Sequence, residues 1–423
     1  MSGNGSVPNR EDIDEEYRWD LSSMYRDTEQ WDKEMTDIEK MVPEISKFKG
    51  KLTESNENIA ECIRFEDELS IKLERIYTWS HLRHDEDLSD TTSRSMHDRA
   101  VNLAVRLEAG SSYIVPEILT LDKGKLKTLL EDPILEFAKI PIRSIIRQKD
   151  HFLSEKEEKL LALAEEALDS SSKTYNMLND ADLRFPTIKD EEGNDIELSH
   201  GRFVGLLLSK DRDIRKNTMK KYYSSYESHK NTFASTLEGE LKRRTFKAKV
   251  RNYPSALHAS LDNDEVDPAL YNSLIDAVHG SFPDFHRYVD LRKRALEVDE
   301  LHMYDVYTPL IKEFERKVKW KDAMDLVLNA VEPLGKEYQE IVRTGLSSRW
   351  IDVYESRGKR SGAYSSGCYD SQPYILMNYD GNVKEVFTLA HEMGHSIHTY
   401  LSNRNQPHIT ADYRIFVAEV AST

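Results

Sequence analysis

The stretch TLAHEMGHSIHTY, residues 388–400, holds three histidines and one glutamate whose spacing could bind a metal ion. His391 and His395 are four positions apart, so on an α-helix they lie one turn apart on the same face. Two imidazoles placed in this way can bind one Zn²⁺ at about 2.0–2.1 Å. Glu392 lies beside that face, where its carboxylate can accept a proton from a water molecule that the metal activates. This is the HExxH arrangement, and it predicts a catalytic zinc site.

A catalytic zinc needs a third protein ligand and one open coordination position for water. The downstream segment DYRIFVAEVAST offers Glu419, an acid among apolar residues, 24 positions after His395. These apolar neighbours predict a buried segment, in which a carboxylate needs a cation or a hydrogen-bond network. Glu419 on a second helix is therefore the predicted third ligand. The same ligand set also suits other divalent ions, so the identity of the metal stays open.

The third histidine of the stretch does not complete the extended pattern HExxHxxGxxH, which requires glycine at position 398 and histidine at position 401. The sequence has His398 and Leu401 at these positions. His398 is seven positions from His391 and therefore shares its helix face. It could lie next to the metal ligands, contact the substrate, or form a hydrogen bond in the protein interior.

Composition excludes several classes of protein. The net charge of -17 and the pI of about 5.4 argue against nucleic acid as the main partner, because phosphate binding requires a basic face. The N-terminus has neither a basic nor an apolar signal region, and no window approaches eighteen consecutive apolar residues. Cys62 and Cys368 do not have the spacing of a disulfide framework or a cysteine-based zinc site. A cytoplasmic protein with no membrane partner is predicted.

The elements that position these residues are mostly helices. From Trp19 onward the pattern is helical, with a capping box at Ser154 and Glu157 as one example. The stretch FPTIKDEEGNDIELS predicts a β-hairpin, and residues 351–381 predict two or three short strands just before the HExxH helix. We expect Asn382 to cap that helix. The predicted organisation is a loose acidic tail (1–15), an N-terminal helical lobe that ends in the hairpin (16–200), and a metallopeptidase domain (201–423).

Several motifs resemble the oligoendopeptidase F family, a branch of the thimet-oligopeptidase-like zinc peptidases. They include RWIDV, GKRSGAYSSG, PYILMNYDG, FTLAHEMGHSIH and FVAEVAST, with EEYRWDLSSMY, LDNDEVDPALYNSLI and MYDVYTPL upstream. The likeness covers nearly the whole chain and is most specific over residues 349–423.

The resemblance implies a mainly α, two-lobed body with a deep channel and a small β-sheet next to the HExxH helix. It implies an endopeptidase that acts on short peptides, with His391, His395 and Glu419 as zinc ligands and Glu392 as general base. It also implies that the strand around residues 373–380 pairs with the peptide backbone. The substrate contacts expected from this strand and from the helix are Tyr374, Leu376, Asn378 and His398.

The chain differs in length from the members of this family. Members of the family continue well beyond the position of Thr423, with tyrosine and histidine side chains that would stabilise the oxyanion. We therefore expect the chain to be C-terminally incomplete and the activity of these 423 residues alone to be in doubt. A second chain is one source of the remaining part. Two alternatives stay open: a module that binds peptides without hydrolysing them, and a helical protein in which zinc has only a structural role.

Overall fold

The computed structural model describes residues 8–311 and 317–423, which are mainly helical. In the first half of the chain the α-helices are α1 Thr28–Met41, α2 Asn56–Glu86, α3 Thr91–Ser111, α4 Ile114–Leu119, α5 Lys123–Leu129, α6 Lys139–Arg147, α7 Glu155–Leu168, α8 Ser170–Asn176 and α9 His200–Leu207. Those that follow are α10 Arg212–Ser228, α11 Lys230–Val250, α12 Ala256–Asp262, α13 Pro268–Ala295, α14 Trp320–Ala330, α15 Lys336–Ser347, α16 Val383–Asn405, α17 His408–Ala411 and α18 Ile415–Ala421. Short 3₁₀ turns join several of these helices.

Two small sheets complete the fold. Strands β1 (Thr187–Lys189) and β2 (Asp195–Glu197) form the predicted antiparallel hairpin. Strands β3 (Ile351–Asp352), β4 (Tyr364–Ser366) and β5 (Tyr374–Leu376) form a second sheet in the order β3-β5-β4. In this sheet β3 is parallel to β5 and β4 is antiparallel to it. The predicted mainly α fold with a small sheet beside the HExxH helix is confirmed.

The chain divides into two compact units, and they do not follow the predicted boundary near residue 200. Residues 8–149 and 317–423 form one unit, and residues 150–311 form the other. The first unit is held together by contacts between distant parts of the chain. One of them is the hydrogen bond from the backbone N–H of Val353 to the carbonyl of Tyr17. Local patterns in the sequence carry no sign of such long-range pairing, which is why the prediction failed.

The predicted loose tail is also wrong for the residues that the structure describes. Arg10 donates hydrogen bonds to Glu86 at 2.9 Å and to Asp352 at 2.7 Å, and Ile13 is buried in the core. Both carboxylates are nearly inaccessible to solvent, so each needs a cationic partner. Arg10 is one of the cationic partners of each carboxylate and thereby holds the N-terminal segment in place. Residues 1–7 lie outside the described part of the chain.

The other unit, residues 150–311, contains the hairpin and helices α7–α13. Its hairpin packs on α10, where Ile188 and Leu198 are buried with Tyr222. In the same unit, Asp305 is a fully buried carboxylate that accepts hydrogen bonds from Arg212 and Arg215. The predicted capping box at Ser154 and Glu157 begins α7. Within the described residues, none of the helices combines the length and apolar character that a bilayer crossing requires.

In the first unit, helix α17 is tied to α2 by one histidine. His408 Nδ1 lies 2.6 Å from an oxygen of Asp67, and its Nε2 lies 3.4 Å from Glu74. The hydrogen bonds with Glu74 and Asp67 raise the pKa of His408 to about 9. Because this pKa is higher in the folded than in the unfolded chain, the contact stabilises fully below about pH 6.5. That stabilisation is lost as the pH rises through about 9.

We expect His408→Gln to lower the melting temperature by a few degrees at pH 6 and to have almost no effect at pH 10, because the imidazolium charge is then absent in both proteins. Melting curves of both proteins at the two pH values measure this. The matched control is His302→Gln, since His302 is more exposed and lies 3.6 Å from Glu300. An equal difference in melting temperature at pH 6 and pH 10 would show that packing, and not the charge of His408, is responsible.

Candidate metal centre

Helix α16 carries the HExxH residues and is anchored on two sides. Asn382 caps its N-terminus by accepting a hydrogen bond from the Glu385 N–H at 2.9 Å, as predicted. Leu389, Met393 and Ile397, spaced four apart, are buried in a core cluster that α14, α15, β3 and β5 also line. This buried stripe sets the rotation of the helix, because an amphipathic helix turns its apolar side to the core. The rotation leaves His391 and His395 on a more accessible face.

Helix α18 brings Glu419 to the two histidines. One carboxylate oxygen, Oε2, lies 3.7 Å from His391 Nε2 and 3.8 Å from His395 Nε2. The imidazole rings of the two histidines are 4.8 Å apart at their centres and nearly perpendicular. Among the described residues, these three side chains are the group whose ligand atoms lie close enough together to hold one metal ion. The structure thus brings together the three residues that the sequence predicts as ligands.

The donor set fits a catalytic zinc ion. Two imidazole nitrogens and one carboxylate oxygen are a known set of three protein ligands for catalytic zinc, which leaves one position open. Two ligand atoms at about 2.0–2.1 Å from a tetrahedral ion are separated by about 3.4 Å, slightly less than the two N–O distances here. Small side-chain movements would therefore close the site around an ion.

The segment around Glu419 differs from its prediction in one respect. It is helical as expected, but it is not buried. The Glu419 side chain is 56% exposed, and the apolar side chains of Ile415, Phe416, Val417 and Val420 are also exposed. Apolar residues at almost every position do not distinguish a buried helix from one that has an uncovered face, so the sequence pattern alone was insufficient.

Glu392 lies beside the ligands in a different environment. The residue is only 8% exposed, and this burial raises the pKa of its carboxyl group. The neighbouring His391 and His395, and a hydrogen bond from the backbone of Ser365, act in the opposite direction. A buried carboxylate with a raised pKa next to a metal site is suited to accept and release a proton.

Gly394 allows α18 to approach α16 closely. A Cβ atom at this position would lie 2.6 Å from the carbonyl oxygen of Ala421 and 2.8 Å from the Cα of Ser422. Both neighbours are backbone atoms, which cannot rotate away as a side chain could. Any side chain at position 394 would therefore push α18, and Glu419 with it, away from the histidines.

We expect Gly394→Ala to weaken zinc binding by about tenfold or more, even though alanine favours a helix more than glycine does. The matched control is Gly280→Ala, at a helical glycine of α13 whose added Cβ would have no atom of the described residues within 4 Å. Competition with a chromophoric chelator measures the zinc dissociation constant of each variant. Equal dissociation constants for the two variants and the parent would show that the close helix contact does not control the position of Glu419.

His398 points toward the link between α17 and α18. Its ring stacks on Tyr413 with centres 3.6 Å apart, and the Tyr413 hydroxyl lies 2.6 Å from Thr399 Oγ1. Burial lowers the pKa of His398, which favours the neutral ring. The stacking on Tyr413 gives His398 a packing role beside the link that leads to α18. A role for His398 in substrate contact stays a prediction.

The predicted substrate contacts on β5 need correction. Tyr374 and Leu376 are fully buried in the core, and the Tyr374 hydroxyl is hydrogen-bonded to Ser23 and to the carbonyl of Asp20. Asn378 donates hydrogen bonds to the carbonyls of Arg360 and Gly362. Strand β5 is also paired on both sides, so it has no edge left for a peptide. The order of the strands, which local sequence does not reveal, overturns this expectation.

Three residues of the site escaped sequence reasoning: Gly394, Ser365 and Ser396. The hydroxyls of the two serines lie 2.8 Å apart and connect β4 to α16. Gly394 lies within the HExxH window, so a glycine inside a helix was an available signal of close packing. Nothing in the sequence relates Ser365 to Ser396, because they are 31 positions apart.

A mainly helical body in which a second helix adds a glutamate to an HExxH pair is typical of one class of zinc metallopeptidases. Comparison with known proteins agrees. The family model "Peptidase family M3" matches residues 206–423, and the model "Oligopeptidase F" matches residues 117–185. The chain belongs to peptidase family M3 and, within it, to the oligoendopeptidase F group.

Individual relatives support this assignment. Oligopeptidase PepF of Bacillus subtilis is 43% identical over 99% of this chain and 62% of its own length. Group B oligopeptidase PepB of Streptococcus agalactiae is 36% identical over 98% of this chain and 69% of its own length. The chain thus spans less than two thirds of the Bacillus relative.

Solved structures agree with the fold. A crystal structure of a protein from Chlamydophila abortus superposes with a TM-score of 0.88 at 32% identity, covering 99% of this chain and 70% of that one. Oligoendopeptidase-F from Enterococcus faecium superposes with a TM-score of 0.64 at 35% identity, covering 93% of this chain and 65% of that one.

Proposed function

We propose that this protein is a zinc-dependent endopeptidase that hydrolyses internal bonds of short peptides. The observation that carries the proposal is the convergence of His391, His395 and Glu419 beside the buried Glu392, in a chain of the oligoendopeptidase F group. The relatives' names supply the substrate class, oligopeptides.

Each residue has a role in this proposal. His391, His395 and Glu419 hold the metal and leave a position open on their accessible side. When bound, the ion supplies Lewis-acid activation of water and of the scissile carbonyl group. Glu392 accepts the proton of the attacking water and returns it to the leaving amine. Its burial supports this role, because a carboxyl with a raised pKa is a better proton carrier near neutral pH.

The strand that pairs with a peptide in this proposal is β4, in place of β5. Strand β4 lies at the edge of the three-stranded sheet and contacts α16. An edge strand can pair with an extended peptide, which would add to the sheet as a further strand. Pairing through the backbone would tolerate many peptide sequences.

The apolar surface of α18 supports a second element of the proposal. Ile415 and Val420 are more than half exposed there, and Phe387 on α16 is 72% exposed one turn before His391. Surfaces of this kind usually face another part of a protein. We propose that polypeptide equivalent to the portion of the relatives that this chain does not span covers this surface, either within one protein or from a second chain.

The alternative in which zinc has only a structural role has less support. A structural zinc has four protein ligands, whereas three lie together among the described residues. The peptide-binding alternative differs from the proposal only in turnover, so activity separates the two.

The decisive experiment is hydrolysis of a short internally quenched peptide by the zinc-loaded protein, with a folded protein as a second substrate. We expect cleavage inside the peptide, loss of cleavage with a chelator, recovery when zinc is restored, and no cleavage of the folded protein. Binding of the peptide without cleavage, at full zinc occupancy, would instead support the peptide-binding module.

A further inference from the structure

One residue of the edge strand β4, Ser365, faces helix α16, which carries the HExxH residues. Ile375 and Met377 donate their backbone N–H groups to the carbonyls of Trp350 and Asp352, on the β3 side of β5. Backbone groups of successive strand residues point to alternate sides, so the intervening Tyr374 and Leu376 direct theirs toward β4. Ser365 is opposite Ile375 in the register and therefore directs its N–H and C=O away from β5.

Ser365 contacts α16 at two positions one helical turn apart. Its backbone faces the Glu392 carboxyl group and acts to lower the pKa of that group. Its hydroxyl lies 2.8 Å from the hydroxyl of Ser396, a fully buried residue that directly follows His395. Glu392 and Ser396 are four positions apart, so they occupy one face of the helix. A single strand residue thus joins the sheet edge to the helix face that carries the proposed general base.

Tyr364, the strand residue before Ser365, holds β4 at the opposite face of the sheet. The Tyr364 hydroxyl donates a hydrogen bond of 2.7 Å to Asp85, a buried carboxylate at the end of α2. Side chains of successive strand residues point to opposite faces of a sheet, so Tyr364 and Ser365 fix β4 between two helices. Because Tyr364 anchors the strand independently, loss of the Ser365 hydroxyl should shift the strand edge without unfolding it.

We propose that Ser365 is a positioning residue whose hydroxyl, paired with that of Ser396, fixes the edge of β4 relative to Glu392 and the metal ligands. The role rests on the proposed peptidase function for its effect on turnover, but the contact itself does not depend on that function. Ser365 acts through Glu392 and the strand, and its hydroxyl is already paired within the protein.

A double-mutant cycle tests the proposal with Ser365→Ala, Ser396→Ala and the double variant. Either single change should lower kcat by about two- to tenfold, the range that one neutral hydrogen bond accounts for, with an unchanged zinc dissociation constant. The double variant should lose no more than either single variant, because both remove the same bond. Ser365→Thr, which keeps a hydroxyl, should recover most of the lost kcat.

Hydrogen exchange provides a readout that does not require activity. The amides of residues 364–366 should exchange faster in both alanine variants and at the parent rate in Ser80→Ala. Ser80 is a matched control because it is buried and its hydroxyl donates a hydrogen bond to the Tyr77 carbonyl of its own helix.

Additive losses in the double variant, or equal losses in Ser365→Thr and Ser365→Ala, would overturn the proposal, as would unchanged exchange in β4. If the parent protein does not cleave peptides but the exchange rates are coupled as described, the peptidase function fails and the positioning contact stands.

Discussion

Glu392→Gln is expected to reduce peptide hydrolysis by at least about 100-fold, the lower end of the usual contribution of general acid–base catalysis. Glutamine has almost the same shape as glutamate but cannot accept the proton of the attacking water. Zinc content should stay at the parent level, because Glu392 does not belong to the ligand group. Turnover of the quenched peptide and the metal content of the same sample measure both quantities.

The matched control for this change is Glu385→Gln. Glu385 lies on the same helix, where it contributes a backbone N–H to the cap, and burial raises the pKa of its carboxyl group too. The control removes the same charge from α16 and should leave turnover within about twofold of the parent, in line with a surface-type substitution. Comparable losses in the two variants would mean that the charge of the helix, and not proton transfer by Glu392, is what matters.

Glu419→Gln is expected to weaken zinc binding by more than about 100-fold, beyond the effect of mutating residues that only support a ligand. The reason is the geometry of the site: one carboxylate oxygen lies within 4 Å of both histidine nitrogens. Without its negative charge, two neutral imidazoles remain, and they provide neither a third strong ligand nor charge compensation for a divalent ion. Titration against a chelator of known affinity gives the dissociation constant.

Asp412→Asn is the control for the ligand change, because Asp412 is an exposed carboxylate on the link between α17 and α18. It changes the local charge by the same amount without touching the ligand group, and its zinc affinity should equal that of the parent. If Glu419→Gln and Asp412→Asn both retain parent affinity, Glu419 is not a ligand and the site must be completed by another residue.

The sequence by itself determined the parts of this protein that depend on local spacing. His391 and His395 share a face because an α-helix repeats every 3.6 residues. Asn382 begins that helix because its side chain accepts a hydrogen bond from the N–H of Glu385, which has no partner within the helix. The hairpin at residues 187–197 follows from a turn between two short apolar-containing runs. The family assignment depends on motifs of this local kind, which is why it could be made without a structure.

The tertiary structure alone decided everything that depends on contacts between distant residues. It placed β5 in the middle of its sheet, which removed Tyr374 and Leu376 from the candidate substrate contacts and left β4 at the edge. In the folded chain the N-terminal and C-terminal parts form one unit, and Arg10 binds buried carboxylates. The tertiary structure also left the apolar face of α18 uncovered where the sequence pattern indicated burial.

The physical reason is the same in each case. Helix spacing, caps and turns are properties of a few consecutive residues. Strand order, helix contact distance and burial depend instead on which distant surfaces meet, and many arrangements satisfy the same apolar pattern. Gly394 illustrates both levels: the sequence shows a glycine inside a helix, and only the packed structure shows that its missing side chain lets Glu419 reach the histidines.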